Sequence, residues 1–304
     1  MGSLFGARLA ESGCDVTLID INAAHVDAIN RDGLAFRDGD DNRTVLIEAS
    51  RSPQTVGAVD LIVLFCKYLD TRAAMASAVP MLTPETYAWT LQNGIGNVEI
   101  IKEFVPESRI VKGLTSVTAI IEHPGAVATY FRGESETFAW PVDGASHPVL
   151  QQVTALFTRA GLPSYVSADI DYRIWRKLAV NCSLTVLSAA ANIGIGPVGE
   201  FEPGRRLLRA IIAEVVAVAQ ASGVSLDLED GLAYVEELRA KAASHIGSTT
   251  VDLQGGRATE IDVMNGAVVR LGKRLGVPTP ANATLADFIR LIEATRPVRL
   301  PVPI

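Results

Sequence analysis

Cysteine is scarce in this chain. Cys14, Cys66 and Cys182 are the only three in 304 residues, and their spacing fits neither a metal cluster nor a paired framework. They read as small buried side chains in a reducing compartment, so the expected location is the cytoplasm. Histidine is equally thin. His25, His123, His147 and His245 are scattered, which leaves a histidine-based metal site or triad without support, and no metal is expected. Positive charge is not in surplus either: 27 Lys and Arg stand against 34 Asp and Glu, for a net charge of −7. With no Lys/Arg-rich run, that balance argues against a nucleic-acid partner. No basic segment leads into an apolar core at the start, so no signal peptide is expected. One uncharged stretch, residues 178–199, is long enough to cross a bilayer. It also holds Asn181, Ser183, Thr185, Ser188 and Asn192, and it reads as the buried central helix of a helical domain, with no membrane partner.

What is present is enough apolar residue for two ordinary cores: 48% hydrophobic and 20% charged over 304 residues. The first half alternates strand-like and helix-like pieces. Residues 16–20 and 87–92 read as strands, and 23–31 and 71–80 as helices. Residues 60–67 form an apolar run between charges, as expected of a parallel strand covered on both faces. That alternation predicts an α/β, Rossmann-like doubly wound parallel sheet. After about residue 105 come short strands at 110–114, 126–130, 136–140 and 164–166, and from Asp169 helices take over. Amphipathic stretches at 205–222, 229–243, 261–276 and 284–294 predict an all-helical C-terminal domain. The expected boundary divides residues 1–167 from 168–304.

The chain opens on a helical stretch, Met1 to Ala10, that ends at Gly13 and is followed by Asp15-Val16-Thr17-Leu18-Ile19-Asp20. A helix, a glycine and a β-branched run closed by an acid form the second half of a dinucleotide-binding βαβ unit. Gly2 then stands where the third glycine of G-x-G-x-x-G belongs, and the first strand of such a unit would lie before Met1. Asp20 is placed to accept hydrogen bonds from the adenosine ribose and to repel a 2′-phosphate, which leans towards NAD(H). The alternative is a solvated acid at a strand end. Lys67 and Asn93 follow two predicted strands at their carboxyl ends, where open α/β sheets bind ligands. Lys67 could meet cofactor ribose or phosphate, and Asn93 could bridge nicotinamide and substrate. A snorkelling lysine and an Asn-Gly turn explain the same residues equally well.

In the second half, Lys177 and Asn181 are four residues apart on one helical face that runs into the uncharged stretch. A lysine opening a buried helix is costly unless something uses or pairs it. Thr259 and Glu260 open a later predicted helix, and Glu260 could reach that lysine to tune a proton donor. An ordinary salt bridge with a capping threonine is the competing explanation.

Three segments together carry a resemblance: Trp175-Arg176-Lys177-Leu178-Ala179-Val180-Asn181, Leu91-Gln92-Asn93-Gly94, and Thr259-Glu260-Ile261-Asp262 followed by Asn265-Gly266. In this order they resemble the ketopantoate reductase (2-dehydropantoate 2-reductase) family along essentially the whole chain. The resemblance implies NADP(H)-dependent reduction of a 2-keto acid, ketopantoate to pantoate, by a monomer or homodimer. It implies that Lys177 is the general acid and that Glu260 holds Lys177 and a substrate hydroxyl. Asn93 and Asn181 would orient the substrate, Ser248 would bind its carboxylate, and Lys67 would lie near the cofactor ribose.

Two positions depart from that pattern. Thr185 stands where the family commonly has a second asparagine in the substrate pocket, and Asp20-Ile21 replaces the neutral residue and arginine of NADP-dependent members. Both lean towards NAD-dependent D-2-hydroxyacid dehydrogenases that resemble the same family. A third reading, an inactive dinucleotide-binding protein, follows if the opening strand is absent, because the pyrophosphate then loses its glycine turn.

Overall fold

A computed structural model describes residues 1–129, 135–145, 147–243 and 245–298. The chain divides into two units. The first comprises Met1–Gln92 and Asn97–Ile170, the second Asn93–Gly96 and Asp171–Ile304.

The first unit is α/β, with strands β1 (Thr17–Ile19), β2 (Leu34–Asp38), β3 (Asp41–Val45), β4 (Glu48–Ser50), β5 (Leu61–Leu64), β6 (Tyr87–Thr90), β7 (Ile110–Thr115), β8 (Ile120–His123), β9 (Ala126–Thr129), β10 (Thr137–Pro141) and β11 (Ser164–Val166). Its helices are α1 (Gly2–Glu11), α2 (Ala23–Asp32), α3 (Tyr68–Ala78), α4 (Asn97–Ile101) and α5 (Pro148–Arg159). Strands β5, β6 and β7 pair in parallel, β10 lies antiparallel to β7, and β11 closes that five-stranded sheet parallel to β10. Strands β1 and β4 form a separate parallel pair, and β3-β2-β9-β8 make a mixed four-stranded sheet.

The parallel part is thus in two pieces, with no strand joining β1 to β5 among the described residues. Helix α1 packs on both pieces. Phe5 meets Phe65 just beyond β5 with ring centroids 4.8 Å apart, and a Cβ on Gly6 would stand 2.5 Å from Leu18 Cδ2 on β1. This corrects the expectation for residues 60–67. Leu61, Ile62 and Val63 are only half-buried, because β5 is the last strand of its sheet and lacks a neighbour on one side. The hairpin β2–β3 and helix α5 have no counterpart in the periodicity reading. The strand expected at 126–130 is β9, and Tyr130 lies outside the described residues.

The second unit is helical throughout its described residues: α6 (Ile170–Val180), a π-helical turn (Asn181–Thr185), α7 (Val186–Ala191), α8 (Ile195–Val198), α9 (Glu202–Ala221), α10 (Leu228–Lys241), α11 (Ser248–Gln254), α12 (Asn265–Leu275) and α13 (Pro280–Ala294). Helix α9 supplies Leu208, Ile211, Ile212, Val215, Val216, Val218 and Ala219 to the core, the spacing of one helical face. Starts are marked by their residue chemistry: Asp227 accepts the Asp230 N–H at 2.7 Å to cap α10, and Pro280 opens α13.

Two expectations change here. The uncharged stretch 178–199 is not one helix: it turns π-helical at Asn181, ends at Asn192 in the left-handed conformation (φ 53°), and restarts as α8. The predicted helix 261–276 is also broken, a 3₁₀ turn at Ile261–Val263 preceding α12. No helix of the described residues is long and apolar enough to cross a membrane.

Candidate active site

Helix α6 carries Lys177 in its last turn. Burial pulls the ammonium down from its ordinary 10.5 to about 8, and the negative charge of Glu260 partly opposes that fall. Desolvation disfavours the charged form, while a neighbouring carboxylate favours it. A lysine poised near 8 gives up its proton far more readily than a surface lysine.

Asn181 follows one turn later, where the backbone passes into the π-helical turn that ends at Thr185. Such turns insert a residue into the helical ladder and re-aim the side chains they carry. Three buried side chains take up backbone carbonyls here. Ser183 Oγ donates to the Ala179 carbonyl at 2.6 Å, Asn265 Nδ2 to the Cys182 carbonyl at 2.8 Å, and Ser188 Oγ to the Thr185 carbonyl at 2.9 Å. Asn181 is half-buried, and Thr185 is 9% exposed. Gly247, the residue before exposed Ser248 at the start of α11, lies against Thr185; a Cβ on it would be 2.7 Å from Thr185 Cγ2. The start of α11, with Ser248, thus packs near Thr185, and Asn181 and Lys177 precede Thr185 along the same helical segment at four-residue spacing.

Glu260 does not open an α-helix, as the sequence suggested; it precedes the 3₁₀ turn Ile261–Val263. The turn is held from several sides. Thr259 N–H donates to Glu293 at 2.7 Å, Thr259 Oγ1 accepts the Ile261 N–H at 3.3 Å, and Arg290 pairs with Asp262 at 2.5 Å. The loop of Asn93 is joined to that turn, for Ile95 N–H donates to the Val263 carbonyl at 3.0 Å. Asn93 and Glu260 thereby share one local frame.

The remaining predicted residues belong to the first unit. Asp20 follows β1 with its carboxylate half-buried, and its Oδ1 accepts the Asn22 N–H at 2.8 Å. Ile21 beside it is 88% exposed. Lys67 caps α3, and its turn is held by Gln92, whose amide donates to the Cys66 carbonyl at 2.7 Å and to Thr71 Oγ1 at 2.8 Å. Gly2 opens α1 without crowding, since a Cβ there would meet Phe65 at 3.8 Å; the glycine needed for close helix-to-strand packing is Gly6. An acid at the end of β1 and the opening turn of α1 are groups that suit a dinucleotide's ribose and phosphates.

With that geometry in view, the similarities to known proteins are decisive. Residues 1–140 match the model of ketopantoate reductase PanE/ApbA, and residues 169–293 match its C-terminal counterpart. A 2-dehydropantoate 2-reductase of Streptococcus pyogenes serotype M3 is 32% identical over 97% of this chain and 95% of its own. The chain belongs to the ketopantoate reductase PanE/ApbA family.

Two solved structures frame the family membership. A PanE/ApbA family ketopantoate reductase from Ralstonia eutropha is 31% identical with a TM-score of 0.87, covering 96% of this chain and 94% of that one. A D-mandelate dehydrogenase, solved with NADH and anilino(oxo)acetate, is 28% identical with a TM-score of 0.93 over 98% of this chain and 97% of that one. The chain is accordingly an oxidoreductase of this ketopantoate reductase family.

Sequence reasoning missed three residues that hold these turns: Gly247, Arg290 and Glu293. Gly247 precedes α11 and the other two lie on α13, and none carries a motif of its own. Asn265 was visible only as part of Thr259 to Gly266, with nothing to say what it holds.

Proposed function

We propose that this chain reduces a 2-keto acid to its D-2-hydroxy acid, with Lys177 as the general acid. The observation that carries the reading is a buried lysine drawn down to about 8 with Glu260 as its counter-charge. Gly2, Asp20 and Lys67 would hold the dinucleotide, and its reduced nicotinamide supplies the hydride to the keto carbon. Lys177 Nζ donates a proton to the carbonyl oxygen, so that hydride and proton together replace the C=O π bond with a C–H and an O–H bond while the C–O single bond remains. Glu260 holds Lys177 charged and in place, while Asn93 and Asn181 orient the keto acid and Ser248 takes its carboxylate. Ketopantoate is the first substrate candidate, as in the S. pyogenes relative's name.

A second reading, an NAD-dependent D-2-hydroxyacid dehydrogenase acting on bulkier acids, is favoured by two residues. Asp20 would repel a 2′-phosphate, and exposed Ile21 offers no cation to bind one. Thr185 puts a hydroxyl and a methyl where the ketopantoate pattern has a second amide. The D-mandelate dehydrogenase likeness points the same way.

Turnover of NADH and NADPH with ketopantoate and with benzoylformate separates the readings. Preference for NADPH and ketopantoate supports the first, and NADH with benzoylformate supports the second. Lys177→Ala should cost about 10²–10⁴-fold in kcat/KM with either substrate. A loss of only a few-fold would remove Lys177 as the acid. No turnover by the parent with any pair would leave the inactive dinucleotide-binding reading standing.

A further inference from the structure

The interior of the helical unit contains a chain of buried polar groups that ends on the π-helical turn. Glu214 on α9 accepts the N–H groups of Ala281 at 2.8 Å and Asn282 at 2.9 Å, and the Asn282 side-chain amide donates to it at 2.7 Å. That amide also donates to the Ile211 carbonyl at 3.2 Å. Asn282 Oδ1 in turn accepts from Asn265 Nδ2 at 3.0 Å, and Asn265 Nδ2 reaches the Cys182 carbonyl at 2.8 Å. Both asparagines are 0% exposed.

The direction of this relay is fixed from its far end. A carboxylate and a backbone carbonyl only accept, so the Asn282 nitrogen must face them and its oxygen must face Asn265. Asn265 therefore has to present its nitrogen to Asn282 and Cys182. Turning that amide over would set its oxygen against two acceptors.

Asn265 is a poor choice for stability alone. Its Oδ1 is buried with no hydrogen-bond partner among the described residues, and an orphaned buried acceptor is destabilising. An apolar side chain of similar volume would avoid that cost. Its donor half does something an apolar residue would not: it ties the middle of the π-helical turn to the start of α12. Asn181 and Thr185 are the two ends of that turn, and Lys177 sits one turn before it. Glu260 is only five residues before Asn265, and its carbonyl accepts the Val263 and Met264 N–H groups at 3.1 and 3.2 Å. One side chain thus links the segment bearing Lys177, Asn181 and Thr185 to the segment bearing Glu260.

We propose that Asn265 is a positioning residue, which holds the π-helical turn so that Asn181, Thr185 and Lys177 keep their places relative to Glu260. The inference rests on the catalytic roles proposed above for those residues. Misplacing a reacting group by an ångström can cost about 10²-fold in rate.

The test compares Asn265→Ala with Asn282→Ala and Lys177→Ala in the full chain, using whichever of ketopantoate or benzoylformate the parent turns over. Asn282→Ala cuts the relay one step earlier and leaves the Cys182 bond in place, so it serves as the structural control. Asn265→Ala is expected to lower kcat/KM for the keto acid by about 10–100-fold. NADH affinity, read by fluorescence titration, should stay within twofold, and the alkaline limb of the pH–rate profile should move. Asn282→Ala should lower Tm comparably yet keep kcat/KM within a few-fold. If Asn265→Ala fails to fold, Asn265→Val, which keeps more of the volume and donates nothing, is judged by the same criteria. Activity of the Asn265 variant within threefold of the parent, or loss in step with Tm in both asparagine variants, would overturn the positioning role. Retained activity in Lys177→Ala would instead overturn the catalytic reading beneath it.

Discussion

Gly94 packs on Val263 so closely that a Cβ added to it would stand 2.4 Å from the Val263 carbonyl oxygen. The same oxygen accepts the Ile95 N–H at 3.0 Å, and Gly94 itself has φ +80°. Only glycine satisfies both the close approach and the left-handed conformation. Gly94→Ala is therefore expected to lower stability by more than the ~1–2 kcal/mol that the conformation alone would cost. It should also lower kcat/KM, because the Asn93 loop would lift off the Glu260 turn. Gly276→Ala is the control, since that glycine shares the positive φ (+73°) but a Cβ there meets nothing within 4 Å. Equal Tm losses in the two variants would show that the approach to Val263 is not tight in solution.

The Asn93-Gly94 pair was legible in the sequence as a ligand-binding turn or an ordinary one, and nothing in its neighbours could choose. The loop packs on Val263, 169 residues after Gly94, and no local pattern reports that contact. The same reason explains the other gaps. The alternation of strands and helices showed the α/β unit, because parallel strands and amphipathic helices have periodicities that survive in one dimension. It could not show that the parallel strands fall in two pieces, since pairing partners are non-local. The uncharged run 178–199 looked like one helix because apolar content was all the pattern carried. Its division depends on Asn192 taking the left-handed conformation and on Ser183, Ser188 and Asn265 drawing carbonyls away from the ladder. Lys177 and Glu260 were singled out as a pair, whereas the scaffold of Glu214, Asn282, Arg290 and Glu293 appears only once the helices are packed.

The opposed influences on Lys177 give a signed prediction for Glu260→Gln. Burial lowers the lysine and Glu260 raises it, with a net value of about 8. Removing the carboxylate leaves burial unopposed, so the lysine should lose its proton at lower pH. The alkaline limb of keto-acid reduction should shift down from about 8, and turnover at pH 7 should fall. In the reverse direction, where the neutral amine accepts the proton, activity should rise through the same pH. Stability follows the same linkage. The native value lies below the unfolded 10.5, so the unfolded chain binds more protons between the two. The contribution of Lys177 to stability should be greatest above 10.5 and decline as pH falls to about 8, with the charged buried amine a constant cost below that. An alkaline limb unmoved by Glu260→Gln would mean that another group sets it.

A second titration belongs to the first unit. His25 is 1% exposed and bridges α2 to two other segments: Gly125 N–H donates to its Nδ1 at 2.9 Å, and its Nε2 lies 3.0 Å from Ser3 Oγ on α1. Because a backbone N–H can only donate, Nδ1 must be unprotonated, which places the single proton on Nε2, facing the serine. A second proton would set Nδ1–H against the Gly125 N–H. Burial accordingly holds the imidazole below its ordinary 6.5, opposed by the charge of Asp20. With the native value depressed, the unfolded chain takes up a proton that the folded chain refuses as pH falls below 6.5. Stability is therefore intact above 6.5 and drops towards pH 5, by at most about 1.4 kcal/mol per pH unit for one proton. Carboxylates mostly titrate lower, and a variant at position 25 separates this histidine from the other three. His25→Gln keeps an acceptor for Gly125 and a donor for Ser3 but does not titrate. Its Tm should be nearly flat between pH 5 and 6.5 where the parent's slopes, and parallel slopes in the two proteins would assign the acid loss to other groups.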